Sequence, residues 1–175
     1  TESDGLLIDL SNAYVGLGTE SELVNGIVHT IVVVAVNSNG DSATGSTEVS
    51  FIPSTKPSTP TGLIGSPKIN AKSTLNSGEL KLTWSISNNT DITSNVTNGS
   101  AITAYVLQVL DENGDQVGTD ITTSNVDSEN TFTGLTDGTS FKLQMKARNA
   151  NGDSNFELAT YDEDANGNTD VFVPS

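Results

Sequence analysis

Oxygen-bearing side chains at alternate positions can surround a hard cation, and this chain contains one such series. It reads Asp162-x-Asp164-x-Asn166-Gly167, with Asp170 three residues further on. In a loop of this kind the oxygens converge on calcium, and the glycine permits the sharp turn. The bidentate carboxylate that would close the shell is missing, because Val173 stands six residues after the glycine. The pattern offers at most a weak calcium site at Asp162, Asp164, Asn166 and Asp170; an acidic hairpin tip is the plainer expectation. A second series, Asp111-x-Asn113-x-Asp115, lacks a glycine at the matching place and reads as a turn.

Residues for covalent or acid–base chemistry are scarce. There is no cysteine, hence no thiol nucleophile, thiolate metal site or disulfide framework. The single histidine, His29, lies in an apolar run with no partner set for a triad, and is expected to pack. The pairs Asp111-Glu112 and Asp162-Glu163 fall in loops, without an apolar pocket to separate their acidities. No catalytic residue and no cofactor other than calcium is assigned, and the chain is read as not an enzyme. Sequons at Asn88, Asn95 and Asn98 crowd one polar stretch and matter only in a glycosylating source.

Seven basic against 22 acidic residues give a net charge of −15. That balance opposes binding to nucleic acid, whose phosphates demand Lys and Arg, and to anionic membranes. The longest apolar run, Ile27 to Val36, is about half of a membrane-spanning helix. It is rich in β-branched residues, which favour strands. The start, Thr1 to Asp4, is acidic and shows no secretory leader. Abundant Gly, Ser, Thr and Asn suit short strands and turns.

These few candidate residues hang on a repeat. Displaced by 112 positions, the chain matches itself. Leu23 falls on Leu135, Gly26 on Gly138, His29 on Phe141, Ile31 on Leu143, Val33 on Met145 and Ala35 on Ala147. Then Asn37-Ser-Asn-Gly-Asp-Ser42 meets Asn149-Ala-Asn-Gly-Asp-Ser154, and Phe51-Ile-Pro-Ser54 meets Phe172-Val-Pro-Ser175 after about nine extra residues. Positions 29, 31, 33 and 35 alternate with their neighbours, as do 141, 143, 145 and 147, so each run reads as a strand with one buried face. In the second copy the other face is Lys142, Gln144, Lys146 and Arg148, facing solvent. In the first it is Thr30, Val32, Val34 and Val36, which calls for a cover. The hexapeptide then reads as a hairpin loop used twice.

Upstream of the second copy, Lys56 to Leu63 reads as a linker entering a strand. Leu80, Leu82, Trp84 and Ile86 share one strand face. Tyr105, Leu107 and Val109 share another, before a turn at Asn113-Gly114, and Phe132 and Leu135 follow. About seven short strands result, a β-sandwich spacing. The series Pro57, Pro60, Leu63, Leu82, Trp84, Ile102-x-x-Tyr105, Leu135-x-x-Gly138-x-x-Phe141, Ala147-x-Asn149-x-x-Gly152-x-Ser154 resembles the fibronectin type III family. The resemblance covers about 57 to 175 in full. It implies an all-β, immunoglobulin-like sandwich in two tandem units: residues 1–55 as the C-terminal half of one, 56–175 as a complete one. Residues 1 to 26 align to about 113 to 138, so the first unit lacks the strands that would carry its tryptophan, as in a window cut from a longer array. The family usually has Tyr at Phe141 and His29; without that hydroxyl, the corner before this strand is expected to be held by packing alone.

The resemblance implies spacing and binding, and rarely catalysis. The expected function is a non-catalytic structural module, a spacer or display domain of a secreted, cell-surface or virion-surface protein. Its partners would be neighbouring domains of the same chain and protein or glycan ligands. One alternative is an accessory linker or carbohydrate-associated module of an extracellular polysaccharide-degrading enzyme, for which Tyr14, Phe156 and Tyr161 are the aromatic residues available. Another is a calcium-dependent adhesin resting on the Asp162 loop.

Overall fold

The computed structural model describes residues 23–66, 76–85, 88–160 and 171–174. Every regular element among them is a strand: β1 (His29–Ile31), β2 (Val36–Asn37), β3 (Gly40–Asp41), β4 (Val49–Phe51), β5 (Ile64–Ser66), β6 (Leu80–Thr83), β7 (Ala104–Leu110), β8 (Gln116–Ser124), β9 (Glu129–Phe132), β10 (Lys142–Asn149), β11 (Gly152–Asp153) and β12 (Glu157–Leu158). All pairings are antiparallel. One sheet runs β5-β6-β9. A second runs β11-β10-β7-β8, with β12 also on β10, while β1 with β4 and β2 with β3 form two separate two-stranded pairs.

The two sheets close on each other through side chains at alternate positions. In β6, Leu80 and Leu82 are fully buried while Lys81 and Thr83 are half-exposed. In β10, Leu143, Met145 and Ala147 point inward between Lys142, Gln144, Lys146 and Arg148. Tyr105, Leu107 and Val109 meet them from β7, where Leu107 pairs with Met145. Trp84 lies edge-on to Tyr105, ring centroids 5.6 Å apart. Each large side chain buried this way contributes about 1.5–3 kcal/mol. Leu80, Leu82, Trp84, Tyr105, Leu107, Val109, Phe141, Leu143, Met145 and Ala147 all belong to this one core, as their spacing predicts.

Val106 and Leu110, on the opposite face of β7, are buried too. They pair with Lys146 and Lys142 on one side and with Thr122 and Gln116 on the other. Long polar side chains lay their stems over apolar neighbours, so this outer face is drier than alternation implies.

The self-similarity in the sequence reappears as matching backbone geometry. Gly26 and Gly138 have φ of 79° and 74°, and their amides donate to Pro53 O and Pro174 O at 3.0 Å each. His29 pairs with Phe51 as Phe141 pairs with Phe172. Asn37 Oδ1 accepts from Asn39 N, and Asn149 Oδ1 from Asn151 N, both at 2.8 Å. Gly40 and Gly152 close the two hairpins at φ 116° and 118°, a region that only glycine enters freely.

Two expectations need correction. The strand face of the first copy is not buried among the described residues: Val33 is 45% exposed, and Val32 and Val34 are 44% and 42%. No described strand flanks the side where β7 flanks β10. The corner before β10 is also not held by packing alone. Asp137 accepts from Gly78 N at 2.6 Å and from the Ser77 hydroxyl, Leu135 N donates to Gly78 O, and Phe141 and Phe172 exchange two backbone bonds. A carboxylate across the corner replaces the missing phenol. At His29 the ring itself bonds backbone: Nε2 lies 3.1 Å from Val24 N and 3.2 Å from Val24 O, and the ring stands 5.9 Å from Phe51.

Candidate linker junction

A polar network surrounds the segment Pro53 to Ser58, where the chain enters the sandwich. It is built on the loop from Asn88 to Ser100, which folds on its own short-range bonds. The Asp91 carboxylate accepts from Thr93 N at 3.0 Å and from Thr93 Oγ1 at 2.7 Å, and these bonds hold it below the usual carboxylate range. Thr97 is fully buried, and its hydroxyl donates to Asp91 O at 2.6 Å. Asn98 N and Gly99 N donate back to Ser94 O and Ile92 O. Asn98 takes a left-handed φ of 50° and Gly99 one of 89°, which turns the loop tip onto the linker.

The linker is held from two sides. On the loop side, Thr55 N donates to Asn98 O at 2.9 Å and Ser58 N to Val96 O at 3.0 Å. Ser58 Oγ donates to Asn95 O, and Asn98 Nδ2 donates to Lys56 O at 3.0 Å. On the hairpin side stands Asn149, which is buried. Its Nδ2 donates to Thr55 O at 2.8 Å, Thr97 O at 3.1 Å and Ser100 O at 3.2 Å. Asn151 Nδ2 adds bonds to Ser54 Oγ and Thr55 O. The first and third residues of the hexapeptide thus tie the linker to the loop.

Glycine permits the closest approaches. A Cβ on Gly99 would stand 2.3 Å from Pro53 O, and one on Gly26 only 2.0 Å from Ile92 O. The turn at Gly26 therefore touches the same loop, and Asn25 Nδ2 donates to Thr55 Oγ1. Beside this network Asp153 receives Arg148 through Nε at 2.5 Å and Nη2 at 3.0 Å, and Lys146 at 2.9 Å. The Arg148 hydrogen bonds hold the Asp153 carboxyl far below its ordinary range.

The arrangement is mechanical: it fixes a backbone path and presents no nucleophile or acid–base pair. The sequence-derived candidates fall elsewhere. Asp162, Asp164, Asn166 and Asp170 lie outside the described residues, as do Tyr14 and Tyr161. Asp111 accepts from Asn113 N and Asp115 N at 2.9 Å each, a self-contained turn. Phe156 is half-buried with Lys146 Nζ 4.6 Å above its ring, so that face is taken. Of the sequons, Asn98 is committed to the linker through its side-chain amide, while Asn88 and Asn95 are exposed. Asn149 and Gly99 escape a local reading because their partners lie far along the chain; the one available signal was the repeated asparagine.

Comparison with known proteins bears on this geometry. The family model described as "Fibronectin type III domain" matches residues 65–162. No curated protein matches the chain. Among solved structures, the rat CD45 extracellular region, domains d3–d4, is similar at a TM-score of 0.53 and 16% identity, over 90% of this chain and 74% of that one. The twitchin kinase region of C. elegans is similar at a TM-score of 0.43 and 18% identity, over 60% of this chain, which spans only 16% of the twitchin chain.

Proposed function

Because the chain belongs to the fibronectin type III family, we propose that it works as a non-catalytic spacer and display module in a secreted, cell-surface or virion-surface protein. The observation that carries this reading is the clasped linker. Asn98, Asn149 and Asn151 bind the main chain of Thr55 and Lys56, and the approaches at Gly26 and Gly99 leave no room for a side chain. A module whose entry path is fixed transmits orientation to whatever precedes it, which is what a spacer requires. The partners are the neighbouring domains of the same longer chain, with protein or glycan ligands reached through loops and strand edges. A net charge of −15 keeps the surface self-repelling and turns it away from nucleic acid. Likeness to an extracellular region of CD45 supports the location.

Small-angle scattering tests the reading. The chain should give one narrow distribution of interatomic distances, and the Asn98→Ala/Asn149→Ala variant a broader one with a longer maximum dimension. Equally broad distributions for both proteins would refute the spacer.

A further inference from the structure

β8 ends its sheet: β7 pairs with one side of it, and no described strand pairs with the other. Both of its connections, the turn before Gln116 and the one after Ser124, lie among the described residues. Solvent reaches the whole strand; Ile121 and Thr123 are half-buried and the rest exposed. The free stretch has two defined ends. At Gly118, φ 78°, the ladder with β7 shifts register between Leu107 and Val109, a bulge that bends the strand. At Ser124 the amide donates to Asp127 Oδ2 at 2.9 Å, which closes the other end. Between them Ile121 and Thr123 share the core face with Leu107 and Tyr105, while Asp120 and Thr122 share the outer face with Gln108 and Val106. An unpaired edge of this kind is a template for another strand.

The charge along this edge has one sign. From Asp111 to Phe141 there are seven acidic residues and no Lys, Arg or His. Asp120 stands in the middle of the free stretch. Amide hydrogen bonds from Gln108 at 2.7 Å and Gln116 at 2.9 Å hold its carboxyl below the ordinary range. On the same outer face Lys146 and Arg148 are two strands away on β10 and bound to Asp153, and Lys142 reaches Glu112 O. We propose that Thr119 to Thr123 is a strand-acceptor edge for an extended basic segment of a partner protein, its Lys or Arg facing Asp120 and its intervening β-branched residues facing Ile121. Main-chain bonds supply affinity in such a pairing, and the alternating side chains supply selectivity. A second copy of this chain does not fit, because it brings another −15 to an acidic edge. A glycan has nothing to stack on, since no aromatic residue occurs from Asp111 to Thr131. Resting on the display reading, the edge gives that reading a partner of stated chemistry.

The probe is the peptide Lys-Val-Lys-Thr-Lys-Val-Lys, added to the 15N-labelled full chain and followed through amide chemical shifts and hydrogen exchange. Amides of β8 should shift saturably while those of β10 and the linker stay put, and Thr119 to Thr123 should exchange about tenfold more slowly at saturation. The same peptide with Pro in place of Val and Thr keeps the charge but cannot lie as a strand, and should bind at least about tenfold more weakly. Asp120→Lys should weaken binding of the first peptide about fivefold. Equal affinity for the two peptides, or shifts spread over the acidic surface, would mean attraction by net charge alone and overturn the site. So would unchanged affinity in Asp120→Lys, equal affinity for a peptide with Glu in place of Lys, or no shift at millimolar peptide. In peptide-free protein, β8 shifts that grow with protein concentration would also overturn it, since a second copy would then take the edge. None of these outcomes alters the linker order on which the spacer reading stands, so the two fail separately.

Discussion

Asparagine stands at the same place in two copies of one hairpin, so a single substitution made twice separates the turn from the clasp. Asn149→Ala keeps a hairpin closed by Gly152 but removes Nδ2 from Thr55 O, Thr97 O and Ser100 O, and Oδ1 from Asn151 N. A buried group left unsatisfied costs about 1–3 kcal/mol. The full sum is not reached, because Thr97 O still accepts from Ser100 N and Thr55 O from Asn151 Nδ2. The expected loss is about 2–3 kcal/mol. Asn37→Ala removes only the bond to Asn39 N at an exposed site and should leave the sandwich within about 0.5 kcal/mol. The assay is urea unfolding followed by the fluorescence of Trp84, the only tryptophan, which sits in the sandwich core. Equal losses for the two variants, or a loss below about 1 kcal/mol for Asn149→Ala, would refute the reasoning.

Trp84→Ala empties the centre of the core beside Tyr105 and should cost about 3–5 kcal/mol in unfolding followed by circular dichroism. Gly99→Ala combines a φ of 89° with a clash against Pro53 O, whereas Gly114→Ala has a similar φ of 93° and open space. The first should cost clearly more than the second, whose penalty is backbone strain of about 1 kcal/mol. Asp153 has its carboxyl pKa depressed on folding, so its contribution is present above the unfolded value, about 3.9, and is lost as pH falls through the lower folded value. Asp153→Asn should therefore lower stability by about 1 kcal/mol at neutral pH, a figure discounted because the Arg148 side chain is 42% exposed. The gap to wild type should narrow on acidification below about pH 4.

The sandwich was legible in the sequence because its core is written at period two: Leu80 and Leu82, Tyr105 to Val109, and Leu143 to Ala147 each fix a face without reference to distant residues. The two hairpins were legible for a similar reason, since Asn, Gly and Ser act on their own backbone. Val106 and Leu110 were not, because their burial depends on which long side chains pair with them across the sheet. The clasp was illegible for the same physical reason at greater range. Asn149 reaches Thr55 across 94 residues of chain, and no local pattern encodes the meeting. The Asp137 corner likewise joins positions about 60 apart, so the substitution at Phe141 announced a lost hydroxyl but not its replacement.

The central claim is that the linker moves as part of the sandwich. Backbone 15N relaxation of the intact chain measures this directly at Thr55, Lys56 and Ser58. Order parameters near about 0.85, equal to those of β7 and β10, are the predicted result. Values below about 0.6 at those three residues, with β7 and β10 rigid, would contradict it.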